Sequence, residues 1–152
     1  MRITKYAMEL DRERNNILVK ESCKNYPDVD CMDSPKKIVN MMNNIFNAAN
    51  QSEEHLWMVA MKAKNRVVGV FEISHGTISE SCFSPREIFI RLCLCGATNF
   101  IVVHNHPSGD TTPSETDIDS TKRIKYAGDI MGIPLLDHII IGNDYRSVMD
   151  YI

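Results

Sequence analysis

The residues best suited to chemistry lie close together in the last third of the chain. His104 and His106 stand two residues apart at the end of an apolar run, and Asp117 follows after a short loop. Because alternate residues of a strand point to the same face, both imidazoles can reach one ion. Two imidazoles and one carboxylate with a fourth position open are the usual ligands of a catalytic zinc. The spacing therefore predicts one Zn2+ ion held by His104, His106 and Asp117.

The segment between these ligands is predicted to be a loop followed by a helix. Pro107, Gly109 and Pro113 interrupt regular structure, and Ser114 is a typical N-cap that would pair with Asp117 at the third helical position. For Ser114 and Asp117, helix capping is therefore an alternative to a role in chemistry. Capping does not account for two histidines at the end of a buried strand, where unpaired polar groups are costly.

An open zinc site predicts a hydrolase. Zinc brings the pKa of a bound water from 15.7 to about 7. Hydrolysis then requires a general base to take a proton and a donor to stabilise the developing oxyanion. Iron, manganese or cobalt can occupy the same ligand set, although two imidazoles and a carboxylate suit zinc best.

The elements that must position these residues are predicted to form one sheet with helices on its faces, an α/β fold. Serine followed by proline marks the start of helices over 35–49 and 85–95, and Ser114 starts a third over 115–131. Apolar runs predict strands at 55–63, 66–74, 99–104, 135–141 and 145–148. Shorter strands are expected at 6–10, 17–20 and 78–83.

Composition narrows the possible partners and compartment. The chain has 152 residues, 43% of them hydrophobic and 24% charged, as in a soluble globular domain. No apolar run is long enough to span a bilayer and no signal-peptide core is present, so we expect a cytoplasmic protein without a membrane partner. The five cysteines are odd in number and lack a C-x-x-C pair, which indicates free thiols. A net charge of −3 without a basic stripe disfavours nucleic acid.

A family resemblance extends over about residues 35–152. The segment 104–117 resembles the JAMM motif of JAB/MPN metalloenzymes, in which an upstream glutamate precedes His-x-His and Ser-x-x-Asp. More closely, it is similar to the signature of the RadC family. The similar segments, in the family's order, are Gly76-Thr77, Ser84-Pro-Arg-Glu-Ile-Phe89, His104-Asn-His-Pro-Ser-Gly-Asp110 with Pro113-Ser114, and Leu136-Asp137-His138-Ile-Ile-Ile-Gly142.

The RadC resemblance implies a cytidine-deaminase-like α/β fold with a mixed β-sheet and flanking helices. It implies one zinc ion on His104, His106 and Asp117, with Ser114 assisting the oxyanion. It also implies that 35–152 is a catalytic domain, on which 1–34 packs as an N-terminal extension. Longer RadC proteins carry a helix-hairpin-helix DNA-binding module, whose glycine-rich pattern the first 34 residues lack. We therefore expect a short form without that module.

The resemblance also implies a glutamate as general base. In the family this residue stands where the first helix gives way to the first long strand, and Glu54 matches that place. Glu72, inside a predicted strand, and Glu53 are the alternatives. Glu54 would deprotonate a zinc-bound water that attacks a carbonyl.

The JAB/MPN relatives cleave peptide or isopeptide bonds, so the first expectation is a metallopeptidase that acts on a peptide or protein. A nucleic-acid-processing factor, following the family's traditional link to DNA repair, is the second. A metal-binding interaction domain without turnover is the third.

Three further histidines are assigned weaker roles. His138 begins an apolar strand, where it can orient part of the site or serve as a satisfied core residue. His55 and His75 lack ligand spacing and are expected to be structural.

Overall fold

The computed structural model describes residues 1–27, 31–76 and 84–152. Within these residues the elements are β1 (Arg2–Leu10), β2 (Asn16–Asn25), α1 (Pro35–Phe46), β3 (His55–Lys62), β4 (Arg66–His75), α2 (Pro85–Cys95), β5 (Asn99–Asn105), α3 (Glu115–Met131), β6 (Leu135–Ile141) and β7 (Tyr145–Ser147). Short 3-10 turns occupy Ala48–Asn50, Ala63–Asn65 and Val148–Tyr151. No helix in the described ranges has both the length and the apolar character needed to cross a membrane.

The described strands form one mixed sheet. Their order across the sheet is β2-β1-β4-β3-β5-β6-β7. The pairs β1–β4 and β5–β6 are parallel, and the other neighbouring pairs are antiparallel. This arrangement, with its flanking helices, confirms the predicted α/β class.

Helix α1 covers one face of the sheet. Its apolar residues recur at three- and four-residue spacing, so Ile38, Met41 and Met42 point to one side and are fully buried. They pack in a cluster with Trp57 of β3 and Val103 of β5. We refer to this side of the sheet as the α1 face.

Helices α2 and α3 cover the opposite face. Leu92 of α2 and Ile124 of α3 pack in a second cluster with Leu56 of β3 and Val102 of β5. Because side chains alternate along a strand, the residue two after Val102, His104, belongs to this side as well. The strands thus deliver the candidate ligands to the α2/α3 face.

Some boundaries differ from the sequence-based expectation. Helix α1 ends at Phe46 rather than 49, because Asn47 adopts a left-handed conformation with φ 53°. The two N-terminal strands are longer than predicted and pair as an antiparallel hairpin with a bulge after Lys5. Ser34 and Ser84 occupy N-cap positions but make no side-chain capping bond. The predicted strand at 78–83 lies outside the described residues, as do Asp28 and Thr77.

The N-terminal hairpin extends the sheet beyond β4. β1 pairs with β4 in parallel at Lys5↔Val70 and Tyr6↔Phe71. Gly69 permits this approach, because a Cβ atom there would lie 2.6 Å from the Tyr6 ring. Lys5 also forms an ion pair with Glu72 at 2.7 Å.

Candidate metal centre

The predicted metal ligands come together at the end of β5. Ligand atoms of His104, His106 and Asp117 all lie within 4.8 Å of one another. The two histidine Nε2 atoms are 3.0 Å apart, and His104 Nε2 is 3.4 Å from Asp117 Oδ1. His104 is 1% exposed, so its ring is shielded from water.

The loop after β5 turns the chain back to the start of α3. It begins with the backbone N–H of His106 donating to Ile141 O at 2.8 Å, which continues the pairing of β5 with β6. Gly109 has a φ of 84°, a conformation that favours glycine. A Cβ atom at Gly109 would also lie 2.6 Å from the Asn143 side chain. The loop is therefore fixed against the β6–β7 turn.

A capping box at the start of α3 orients Asp117. Asp117 Oδ2 accepts hydrogen bonds from the Ser114 backbone N–H at 2.8 Å and from Ser114 Oγ at 2.6 Å. Ser114 Oγ in turn accepts from the Asp117 N–H at 3.1 Å. Capping is thus observed, and it leaves Oδ1 as the carboxylate oxygen nearer to His104. A role for Ser114 in catalysis stays a prediction.

The proton of His106 can be assigned from its partner. His106 Nδ1 lies 2.6 Å from the backbone carbonyl oxygen of Asp110, which can only accept. Nδ1 therefore carries the proton. In the neutral ring Nε2 then presents a lone pair toward His104.

The proton of His104 follows from a longer chain of hydrogen bonds. Thr121 Oγ1 donates to the Asp117 backbone carbonyl at 2.5 Å, so it must accept from His138 Nδ1 at 2.6 Å. His138 Nε2 then accepts from His104 Nδ1 at 2.7 Å. With its proton on Nδ1, the neutral His104 ring also has a lone pair on Nε2.

With both rings neutral, these assignments place unprotonated donor atoms against one another. Burial lowers the pKa of His104 to about 4, against the attraction of Asp117. Burial also lowers the pKa of His138 well below its usual value, and the neighbouring His104 and His106 add to this effect. Two imidazole lone pairs and a carboxylate oxygen cannot hydrogen-bond to one another. The donor set fits a divalent cation.

Among the three candidate bases, Glu54 is the one that strand alternation predicts on the side of the ligands. Leu56 pairs with His104 in the β3–β5 ladder, and opposed residues share a face. Glu54 precedes Leu56 by two residues, so the same alternation assigns it to the α2/α3 face. It is partly buried, and its carboxylate has no ion pair within the described part of the chain.

The backbone around Glu54 is held by a residue that sequence reasoning did not single out. Asn105, 1% exposed, accepts a hydrogen bond from the His55 N–H at 2.7 Å through Oδ1. Its Nδ2 donates to the Glu53 carbonyl at 2.9 Å. The side chain between the two candidate ligands therefore fixes both neighbours of Glu54. Its position inside the His-x-His triplet was the available signal.

Glu72 is directed away from the centre. It pairs with Trp57 in the β3–β4 ladder, on the α1 face. Its carboxylate contacts Lys5 Nζ at 2.7 Å and His55 Nδ1 at 2.9 Å. Burial alone would raise the pKa of Glu72, but these two contacts hold it below its usual value. Glu53 is exposed and lies 3.6 Å from His75.

Comparison with known proteins identifies the family of the chain. Residues 32–151 match the family model of the RadC-like JAB domain. The chain belongs to the RadC-like JAB domain family. The matched residues cover the candidate metal centre and all elements from α1 to β7, while the β1–β2 hairpin of this RadC-like protein precedes them.

Several curated proteins named UPF0758 are similar to much of the chain. A UPF0758 protein of Clostridium beijerinckii is 45% identical over 111 residues, 73% of this chain and 48% of that protein. One from Caldanaerobacter subterraneus is 41% identical over 110 residues, 72% of this chain and 46% of its own length. One from Pelobacter propionicus is 37% identical over 123 residues, which is 80% of this chain and 53% of that protein. The chain spans about half the length of the curated relatives it matches.

Proposed function

We propose that this RadC-like protein is a zinc-dependent hydrolase that cleaves an amide bond of a peptide or protein, as a metallopeptidase or isopeptidase. The observation that carries the proposal is the meeting of ligand atoms from His104, His106 and Asp117 within 4.8 Å of one another. Membership of the JAB family supports the hydrolytic chemistry. The net charge of −3 supports a substrate other than nucleic acid.

His104, His106 and Asp117 would hold one Zn2+ ion. When bound, such an ion acts as a Lewis acid and lowers the pKa of a bound water to about 7. Burial lowers the pKa of His104 to about 4, which keeps the Nε2 lone pair of this ring available at pH 7.

Glu54 would act as the general base. Its carboxylate takes a proton from the attacking water and later donates one to the leaving nitrogen. Its assignment to the face of His104, and the absence of an ion pair in the described ranges, support this role. A carboxylate already neutralised by lysine, as Glu72 is, would be a weaker base.

Ser114 would stabilise the oxyanion. Its hydroxyl hydrogen is bonded to Asp117 Oδ2 at 2.6 Å, so donation to a substrate oxygen requires that this bond be exchanged. The Ser114 N–H keeps its own bond to Asp117 at 2.8 Å, so the exchange leaves the carboxylate anchored.

The test combines metal analysis with turnover. The purified chain is expected to bind one Zn2+ and to lose it in His104→Ala. A library of quenched fluorescent peptides, including branched peptides with a lysine isopeptide bond, is then screened. Glu54→Gln should keep the metal and lose at least about 100-fold in rate, as removal of a general base does. Glu53→Gln, its exposed neighbour, is the matched control.

Two results would contradict the proposal. One is a protein that binds no divalent metal under any loading condition. The other is cleavage of single-stranded or branched DNA in a parallel assay with no peptide turned over, which would establish the nucleic-acid-processing function instead.

A further inference from the structure

We propose that His138 and Thr121 are positioning residues that hold His104 in the tautomer required for metal binding. This inference rests on the metal site of the proposed function. It assigns a role to two buried residues that do not themselves face the ion. His138 lies in the middle of β6, paired with Val102 of β5, and Thr121 lies one turn after Asp117 on α3.

The hydrogen bonds run in one direction. His104 Nδ1 donates to His138 Nε2 at 2.7 Å, and His138 Nδ1 donates to Thr121 Oγ1 at 2.6 Å. Thr121 Oγ1 donates to the carbonyl of Asp117 at 2.5 Å. Only this last acceptor has a fixed role, because a backbone carbonyl cannot donate. The direction of the whole series is therefore set at Asp117 and transmitted to His104.

The series connects two of the three candidate ligands. It begins on the ring of His104 and ends on the backbone of Asp117, whose carboxylate Oδ1 lies 3.4 Å from the other nitrogen of the same ring. A rotation of His104 or a shift of the first turn of α3 would break it. The series thus holds His104 and Asp117 at their mutual distance as well as fixing the tautomer of His104.

Burial makes these bonds hard to replace. His138 and Thr121 are fully buried, and His104 is 1% exposed. Loss of one partner would leave a buried polar group that water cannot easily satisfy. A histidine with a packing role alone would not fix the tautomer of a candidate ligand. The packing and positioning interpretations of His138 therefore predict different effects of its replacement on metal affinity.

The first experiment measures Zn2+ affinity by competition with a chelator. Thr121→Val removes the hydroxyl at nearly constant shape, and His138→Leu removes both ring nitrogens. Each is expected to weaken Zn2+ binding by about 10- to 100-fold, as loss of groups that orient metal ligands does. Thr121→Ser keeps the hydroxyl, and His138→Gln keeps an acceptor and a donor, so both should recover most of the affinity.

Ile124→Val provides the matched control. Ile124 is a buried α3 residue outside the hydrogen-bond series, and removal of one methyl group leaves a small cavity in the core. It should lower the melting temperature of the metal-free protein and leave Zn2+ affinity unchanged. If Thr121→Val and His138→Leu behave like Ile124→Val, the positioning role is wrong.

A second measurement does not depend on the metal. Nitrogen-15 NMR of the metal-free protein reports which ring nitrogen of each histidine carries the proton. His104 and His138 are expected to carry it on Nδ1, and Thr121→Val should change the pattern of His138 first. A proton on His104 Nε2 would overturn the inference even if zinc binds. A wild-type chain that shows the expected tautomers but binds no metal would overturn the proposed function alone.

Discussion

At the scale of single residues, the candidate centre depends on side chains that fix their neighbours. The two candidate ligand histidines direct their Nδ1 protons to different partners: His106 to a loop carbonyl, His104 to another ring. The residue between them, Asn105, instead holds the backbone on either side of Glu54. The His-x-His triplet therefore serves both the candidate metal ligands and the candidate base.

Replacement of Asn105 by alanine should separate the support of the candidate base from the support of the candidate ligands. The change leaves the His55 N–H and the Glu53 carbonyl without their present partners, which costs about 1–3 kcal/mol for a buried group. Because the Nε2 donors of the histidines are untouched, Zn2+ affinity should stay within a few-fold of wild type. Turnover should fall, since Glu54 is no longer fixed.

Urea denaturation, zinc titration and rate measurement on the same preparation check the three parts of this prediction. Asn105→Ala that loses zinc together with activity would show that the residue supports the ligands rather than the base.

The parts of the site that the sequence predicts are those set by local geometry. The period of a strand brings His104 and His106 to one face, and a capping box brings Asp117 into the first turn of a helix. Thr121, His138 and Asn105 have partners 17, 34 and 50 residues away, so the sequence can indicate Asn105 and His138 but cannot identify the groups they bond to.

At the scale of elements, helices α1 and α3 differ in how they begin. Ser114 makes a full capping box at α3, whereas Ser34 occupies the same position at α1 without a side-chain capping bond. A serine hydroxyl therefore stabilises the start of α3 but not the start of α1.

Ser114→Ala is expected to destabilise the fold by about 1 kcal/mol, the usual cost of losing an N-cap. Ser34→Ala should change stability by only a few tenths of that amount. Thermal unfolding of the two metal-free variants gives the comparison directly. Equal losses in both would contradict the assignment of the α3 cap as a stabilising element.

The strength of local sequence signals explains which elements the sequence predicts correctly. Helix α2 begins at Pro85 and ends before Gly96, which is left-handed with φ 64°, so local signals define both ends. Strand β2 is largely exposed and polar, and carries a weak alternation. Only parts of β1 and β2 were predicted, because β4, the second partner of β1, lies far along the chain. The division of the chain at residue 34 into an extension and a catalytic domain is retained as a proposal.

At the scale of the whole molecule, the ion pair between Lys5 and Glu72 fastens the hairpin to the rest of the sheet. The contacts to Lys5 and His55 lower the pKa of Glu72 from its usual 4.5, despite the opposing effect of burial. A carboxyl whose pKa is lower in the folded state stabilises that state above its unfolded pKa. The contribution is lost as the pH falls through the folded pKa.

Glu72→Gln should therefore cost up to about 1 kcal/mol at pH 7, the scale of a partly exposed pair, and nothing well below pH 4.5. Denaturant unfolding at both pH values checks the difference. Glu9→Gln is the matched control, because Glu9 lies on β1 with Lys5 and has no ion pair in the described part of the chain. A loss that is the same at both pH values would contradict the electrostatic explanation.

The attachment of the hairpin to β4 also has a consequence for the order in which the molecule opens. β1 and β2 are joined by a short turn, but Lys5 and Glu72 are 67 residues apart, so their contact must close a long loop. We expect the hairpin to behave as a separate cooperative unit that detaches before β3 and β5 unfold. Native-state hydrogen exchange should show early exchange in β2 and the slowest exchange beside His104. Metal binding would then slow exchange in the central strands and leave the hairpin unchanged, so the two ends of one continuous sheet would report independently on loading and on unfolding.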